Sequence, residues 1–155
     1  MVRLAAKHEL ERINEIRKQV NAVHCSGRPD IFTTNFGKEM QDIIYKAWED
    51  EKSDVIVAVR NGVVCGFATA ERFVKPSSPY SFERRYYQIV EFGVDEKFRR
   101  QGIATEMFEF IKKRSKKLGF DRIELDMWEF NEAALKFYEY VGFRTYRRYM
   151  EFDIK

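Results

Sequence analysis

The sequence predicts an α/β fold, with a mixed β-sheet flanked by about four helices in a single domain over residues 1–155. Segments with helical spacing alternate with segments of strand-like spacing in the order β-α-α-β-β-β-α-β-α-β. Such alternation is typical of a sheet covered by helices. In addition, 155 residues suffice for one sizeable core but leave little room for a second.

Two amphipathic helices are predicted in the amino-terminal third. The first covers residues 7–23, and the Ser-Gly-Arg-Pro-Asp segment 26–30 breaks it. Its apolar stripe is formed by Ile13, Ile16, Val20 and Val23. The second helix covers residues 36–51, where apolar residues recur at helical spacing from Phe36 to Trp48. Both helices should therefore bury one face against the sheet.

A β-hairpin and a third strand follow. Residues 55–60 and 63–70 are rich in β-branched and apolar residues, and Asn61-Gly62 between them readily takes the positive φ values of a tight turn. A polar loop begins at residue 75 and has two prolines by residue 81, so the connection over 75–85 is predicted to be the mobile region. Residues 86–94 then read as a strand.

The carboxy-terminal half predicts two more helices and two more strands. A helix over residues 103–118 ends at Gly119, and alternation over 122–128 indicates a half-buried strand. A short helix starts at Glu132 with Asn131 as its cap. The tail over 144–154 is predicted to be mostly strand.

Composition and charge exclude several classes of function. No long apolar run and no leader pattern is present, which predicts a soluble cytoplasmic protein without a membrane. A net charge of +3 is only mildly basic and disfavours a nucleic-acid partner. Cys25 and Cys65 lack metal-ligand spacing, and with only His8 and His24 available no metal is implied. Both thiols are expected to be reduced and buried.

The segment 94–105 is the most informative part of the chain. It leaves a strand, turns through Arg99, Arg100 and Gly102, and opens a helix at Ile103. Backbone N–H groups at a helix start have no intrahelical partner, and the helix dipole adds positive potential, so the turn predicts a diphosphate site. A P-loop would need Lys and Ser or Thr after its last glycine, and a dinucleotide fingerprint would need three glycines. Neither pattern is present.

The spacing Arg99-x-x-Gly102-x-Ala104 resembles the Q/R-x-x-G-x-G/A signature of the GNAT superfamily, the acetyl-CoA-dependent N-acetyltransferases. A second motif of that family resembles residues 131–143, where Asn131 precedes a short helix that carries Tyr138 and closes on Gly142-Phe143. The two motifs stand in the family's order. The resemblance covers essentially the whole chain and is most specific over residues 86–143.

The resemblance implies a sheet splayed between its fourth and fifth strands to admit acetyl-CoA. The pantetheine arm is then expected against the end of the motif strand, and the diphosphate against the turn. The implied cofactor-binding residues are Phe92, Gly93, Val94, Arg99, Arg100, Gln101, Gly102, Ile103, Ala104, Thr105 and Asn131. Surface arginines and a simple helix cap remain the structural alternatives for Arg99, Arg100 and Asn131.

The implied reaction is attack of an amine on a thioester. Tyr138 matches the family tyrosine that protonates the departing thiolate, although core packing would also explain it. The amine must be neutral to attack, so a base is needed, and Glu91 and Asp126 are the candidates. A β-bulge, common in the family's fourth strand, would change the face that Glu91 takes. Ordinary surface carboxylates or a water relay are the alternatives.

The sequence therefore favours an N-acetyltransferase that transfers an acetyl group from acetyl-CoA to a small-molecule or protein amine in a ternary complex. A non-catalytic CoA-binding sensor or scaffold module is the second hypothesis, and an unrelated phosphate-binding α/β protein is the third. No residue spacing names the acceptor. Exposed aromatic residues leave a homodimer open.

Overall fold

The structure is a computed structural model that describes all 155 residues. The helices are α1 (Leu10–Gly27), α2 (Lys38–Glu49), α3 (Ile103–Lys117) and α4 (Glu132–Tyr140). The strands are β1 (Val2–Leu4), β2 (Ser53–Arg60), β3 (Val63–Lys75), β4 (Arg84–Val94) and β5 (Ile123–Glu124). Single 3₁₀ turns precede α1 and follow β4. No helix is both long enough and apolar enough to cross a membrane.

The five strands form one mixed sheet in the order β1-β2-β3-β4-β5. The first four strands are antiparallel to their neighbours, whereas β5 runs parallel to β4. Two apolar clusters cover the two faces of the sheet. One joins α1 and α2 to β2 and β3, and the other joins α3 to β2, β3 and β4. The predicted α/β fold with a mixed sheet is confirmed.

The hairpin between β2 and β3 forms where it is predicted, with Asn61 and Gly62 both at positive φ. Strand β3 runs to Lys75, five residues further than predicted, because β4 pairs with it along its whole second half. Phe73 stacks on Tyr86 across this extension at 5.3 Å between ring centroids. The connecting loop is correspondingly shorter than residues 75–85.

Strand β5 is shorter than predicted. The alternation over 122–128 predicts seven residues, but only Ile123 and Glu124 pair, with Tyr87 and Gln88 of β4. Beyond them β4 continues to Val94 without β5 beside it. The two strands therefore separate, which opens the sheet at the predicted position.

The predicted tail strand is wrong for the single chain. Residues 144–155 form no helix or strand, and their backbone makes no hydrogen bond to another segment. Their alternation of apolar and polar residues is a strand pattern, but a strand forms only when a neighbour completes its hydrogen bonds. No strand of this chain forms backbone hydrogen bonds with the tail.

Candidate functional site

A cleft of about 510 Å³ lies where β4 and β5 separate. We call it the central cleft. It is bounded by α1, the end of β4, the turn that leads into α3, and α4. Eleven of its eighteen lining residues are hydrophobic, so it offers a mostly apolar trough with polar groups at few places.

The turn into α3 carries a row of free backbone donors beside the cleft. The first helical bond of α3 is donated by the Glu106 N–H to the Gly102 carbonyl, and the N–H groups of residues 99–105 donate none within the protein. Arg100 and Gly102 have φ values of 61° and 78°, which turn the backbone at both positions. A Cβ atom at Gly102 would meet no protein atom within 4 Å. The turn can therefore bind an anion through its main chain.

Asp95 fixes the base of this turn. It is 2% exposed and accepts hydrogen bonds from the Lys97 N–H at 2.9 Å and from the Arg12 guanidinium. Burial by itself raises the pKa of Asp95, but these hydrogen bonds outweigh it, so that the pKa lies below its ordinary value. The carboxylate stays ionised and holds the start of the turn against α1.

Nine of the ten residues predicted on the turn and at the end of β4 line the central cleft. They are Phe92, Gly93, Val94, Arg99, Arg100, Gly102, Ile103, Ala104 and Thr105. Gln101 is exposed and is not among the lining residues. Asn131 lines the cleft and also caps α4, because its Oδ1 accepts from the Ala134 N–H at 3.2 Å.

Tyr138 lies on α4 at the wall of the cleft that faces β4. Its ring packs among Phe92, Phe137 and Phe143, with centroid separations of 5.5 to 6.2 Å. Burial raises the pKa of Tyr138 to about 12, with no hydrogen bond contributing. The phenol therefore keeps its proton at neutral pH and has it available to donate.

A β-bulge at Val90 decides where Glu91 points. The β3–β4 register passes from Ala70↔Ile89 to Thr69↔Glu91 and leaves Val90 unpaired. Tyr87, Ile89 and Phe92 consequently pack on the α3 side of the sheet, whereas Glu91 faces α1. There both Glu91 oxygens accept from the Arg17 Nε, at 3.0 and 3.1 Å.

The structure does not bring Glu91 and Asp126 together in the cleft. Neither is among the lining residues, and Asp126 is exposed in the segment after β5. Arg17, the partner of Glu91, is itself buried and donates to the Asn14 side chain and to the Met40 carbonyl. Glu91 is thus tied to α1 and to the start of α2.

His24 also lines the cleft, although no pattern in the sequence gives it a role there. It lies near the end of α1, where its ring stacks on Phe32 at 5.0 Å and meets the edge of Phe130 at 6.2 Å. Burial lowers the pKa of His24, and the charge of Glu91 opposes that shift in part. The imidazole is therefore neutral at neutral pH. In the sequence His24 lies next to the apolar stripe of a helix, and that position by itself indicates only core packing.

Trp128, in the segment after β5, joins the same aromatic group. It contacts Phe32 edge-on at 5.0 Å and stacks near Phe130 at 6.3 Å. The aromatic group of His24, Phe32, Trp128 and Phe130 thus links the end of α1 to the segment after β5. His24 is the member of this group that lines the cleft.

Neither cysteine lines the central cleft. Cys65 is buried and Cys25 is half-buried, and both are free thiols. No group of three or more His, Cys, Asp or Glu side chains lies close enough together to hold a metal ion.

Comparison with known proteins agrees with this arrangement. The model of the acetyltransferase (GNAT) family matches residues 23–143. L-ornithine N5-acetyltransferase NATA1 of Arabidopsis thaliana is 27% identical over 100 residues, which is 64% of this chain and 39% of that protein. The chain thus spans well under half the length of this relative.

Two solved structures are similar over nearly the whole chain. The tetramutant of the BH1408 protein from Bacillus halodurans is 30% identical, with a TM-score of 0.94 and 99% coverage of both chains. Aminoglycoside N-acetyltransferase AAC(6')-Iy in complex with a CoA-containing bisubstrate analogue is 17% identical. Its TM-score is 0.77 over 100% of this chain and 97% of the other. At that identity the second likeness concerns the fold alone.

Proposed function

Because the chain belongs to the acetyltransferase (GNAT) family, we propose that it transfers an acetyl group from acetyl-CoA to a primary amine by direct attack in a ternary complex. One observation carries the proposal. The seven consecutive residues 99–105 leave their backbone N–H groups free beside an apolar cleft. The phenol of Tyr138, which has no hydrogen-bond partner, lines the same cleft.

The residues present suit a pyrophosphate joined to a long uncharged arm. The diphosphate lies on the free amides of the turn, with Arg99 and Arg100 adding positive charge. The arm follows the main chain of Phe92, Gly93 and Val94, where β4 has lost β5 as a neighbour. Asn131 closes the trough from α4.

Tyr138 serves as the general acid. The amine nitrogen attacks the thioester carbonyl, a C–N bond forms, and the C–S bond breaks. The phenol gives its proton to the departing thiolate, since it is protonated at neutral pH when that charge develops.

His24 is the base that we favour, because it lines the cleft and, as a neutral imidazole, has a basic nitrogen free to accept a proton. It takes the proton that the attacking amine loses. Glu91 assists through its negative charge, which makes the imidazole more basic. Asp126 is the alternative base, and it would have to reach the acceptor from the exposed segment after β5.

The acceptor is an amine, since the relative in Arabidopsis thaliana is named as an N-acetyltransferase of ornithine, which is an amine. Thiol release from acetyl-CoA over a panel of small-molecule amines and peptides tests this. We expect turnover with at least one class of amine. A panel without any turnover, combined with CoA binding, would instead support the sensor or scaffold hypothesis.

Free CoA at millimolar concentration is expected to raise the melting temperature, because a ligand that binds only the folded state stabilises it. In the Gly102→Ala variant the shift should be much smaller, since the new Cβ would occupy the open space at the turn where the diphosphate is proposed to lie, at a φ of 78°. Gly62→Ala is the matched control. Gly62 also has a positive φ and open space around its Cβ position, but it lies in the β2–β3 turn. Equal CoA shifts in the two variants would contradict the assignment of the turn.

The pH dependence of kcat tests His24. The neutral imidazole is the active form, so kcat should fall as pH drops through the lowered pKa of His24, below the ordinary value of 6.5. His24→Gln should lower kcat and remove this acid limb. His8→Gln is the control, since His8 is exposed and lies outside the cleft. If Asp126→Asn removes the limb and His24→Gln does not, Asp126 is the base.

A further inference from the structure

One edge of the sheet collects basic residues from three separate stretches of the chain. Strand β4 begins at Arg84 and Arg85, and β5 begins directly after Arg122. The two strands are parallel, and the Tyr87 N–H donates to the Arg122 carbonyl at 2.8 Å, so both strands begin at the same edge. Helix α3 connects them, and its last turns therefore return to that edge with Lys112 and Lys116. We call this surface the basic edge; its residues are Arg84, Arg85, Lys112, Lys116 and Arg122.

An apolar groove of about 490 Å³ opens at the basic edge, on the α3 side of the sheet. Phe108 and Phe120 line it and are only 5% and 7% exposed, so its apolar surface is recessed. Lys112 and Lys116 also line the groove, and both are exposed. The groove shares no lining residue with the central cleft, which lies at the opposite end of β4.

The cations around the groove have little carboxylate to neutralise them. The Arg85 guanidinium lies 5.3 Å from the Phe120 ring centroid and forms no ion pair. Lys116 forms none either. Lys112 pairs with Glu109 at 2.6 Å, but both side chains are about half exposed, and such surface pairs hold their partners weakly. The positive charge of all three cations is therefore available to a ligand.

The other side of the basic edge repeats the combination of cations and an aromatic ring. Arg84 and Arg122 share one carboxylate, that of Glu124, so the group keeps a surplus positive charge. Both guanidiniums also lie over the ring of Tyr146, at 5.8 and 5.2 Å from its centroid. Tyr146 is 55% exposed. Since neighbouring residues of a strand point to opposite faces, Arg84 and Arg85 carry the charge around both sides of the edge.

We propose that the basic edge binds single-stranded nucleic acid, with an unstacked base in the apolar groove and the neighbouring phosphates on the surrounding cations. Aromatic rings and guanidinium planes stack on bases, and arginine and lysine bind the backbone. Lys113 and Lys117, exposed in the same turns of α3, add positive charge nearby. The net charge of +3 averages over the whole surface and does not show this concentration.

The recessed groove favours a single strand over other anionic partners. A duplex keeps its bases stacked, so none could enter the groove. An anionic membrane would be met by apolar side chains that project beyond the charges, whereas Phe108 and Phe120 lie beneath them. An acidic peptide carries the charge but has no planar group at each anionic unit. A polynucleotide alone pairs every phosphate with a flat apolar base.

Fluorescence anisotropy with a short single-stranded RNA tests the proposal. We expect binding that weakens as salt is raised, by about 0.7 in log affinity per log unit of salt for each phosphate contact. Arg85→Gln combined with Lys116→Gln should weaken binding about tenfold and reduce the salt slope, because two phosphate contacts are lost. Lys18→Gln combined with Lys46→Gln is the matched control. It removes the same charge from exposed positions on α1 and α2. Absence of RNA binding, or equal loss in the two double variants, would overturn the proposal.

Three further ligands test the identity of the partner. Polyglutamate of equal charge, phosphatidylserine vesicles and duplex RNA of the same sequence should each bind more weakly than the single strand. Equal affinity for any of them would overturn the assignment to a single strand. A mononucleotide that binds as tightly as the oligonucleotide would show that only the groove is used, which would overturn the role of the edge.

The location is tested separately from the proposed acetyl transfer. Saturating CoA should leave RNA binding unchanged, because the basic edge and the central cleft have no residue in common. Displacement of RNA by CoA would place the RNA on the turn into α3 and overturn the proposal. Ultraviolet cross-linking of an RNA that carries 5-iodouridine should label peptides from residues 108–123 or 141–146. Labelling confined to other peptides would also overturn it.

Discussion

Replacing Asp54 with alanine is expected to lower the free energy of unfolding by about 3 to 5 kcal/mol, the usual cost of removing one partner of a buried ion pair. Asp54 is 6% exposed at the start of β2. Its Oδ2 accepts from the Arg114 Nε at 3.0 Å and from the Tyr87 hydroxyl at 2.6 Å, and its Oδ1 accepts from the Arg114 Nη2 at 3.0 Å. The substitution leaves Arg114 with an unpaired charge between α3 and the sheet.

The pH dependence of this loss has a definite sign. Burial alone raises the pKa of Asp54, but the hydrogen bonds from Arg114 and Tyr87 outweigh it, so that the pKa lies below its ordinary value. The ion pair therefore stabilises the fold above pH 3.8, the ordinary pKa, and that contribution is lost as pH falls through the lowered pKa of the folded state. The difference between the natural protein and Asp54→Ala should shrink over that acid range.

Denaturant unfolding measures both effects. Asp42→Ala is the control, since Asp42 forms an exposed pair with Lys38 one turn away on α2, and such pairs contribute only about 0.3 to 0.5 kcal/mol. A loss for Asp54→Ala no larger than that for Asp42→Ala would contradict the importance of the buried pair. The network joins β2, β4 and α3 on the side of the sheet that positions the turn into α3, so its loss should also weaken CoA binding.

Replacing Tyr138 with phenylalanine is expected to lower kcat by about 10²-fold, the low end of the range for a lost general acid. The phenyl ring keeps the contacts with Phe92, Phe137 and Phe143. The melting temperature and the dissociation constant of CoA should therefore change little. Steady-state rates with a saturating amine, together with a CoA titration, separate the two effects.

Tyr140→Phe is the matched control for this experiment. Tyr140 lies two residues further along α4 and is 79% exposed, outside the central cleft. It should behave as the natural protein. An unchanged kcat in Tyr138→Phe would remove the proposed acid role and leave Tyr138 as a packing residue. A parallel loss of CoA binding would point to a disturbed cleft instead.

Much of the architecture is predictable from local patterns. The Asn61-Gly62 turn, the four amphipathic helices and the strand before the turn into α3 all form close to where their spacing predicts them. The family resemblance likewise rests on short motifs around Gly102 and Tyr138, and membership in the family is confirmed. These features are readable because positive φ, helix capping and apolar periodicity depend on residues a few positions apart.

The surroundings of Glu91 and His24, by contrast, do not follow from local sequence patterns. The alternation of β4 alone would place Glu91 on the same face as Tyr87 and Ile89, but the bulge at Val90 turns it towards Arg17. His24 acquires its position in the cleft from Phe32 and Phe130, the second of which lies more than a hundred residues away. No residue spacing in the sequence predicts these contacts.

The sequence by itself determined the four helices, the β2–β3 hairpin, the turn into α3 and the family, because each follows from the stereochemistry of a short stretch of chain. Only the tertiary structure decided that Glu91 leaves the cleft, that His24 enters it, and that the strand-like tail finds no neighbour within its own chain. These three outcomes have the same physical reason. The environment of a side chain, and the pairing of a strand, depend on which distant segments the fold brings alongside it.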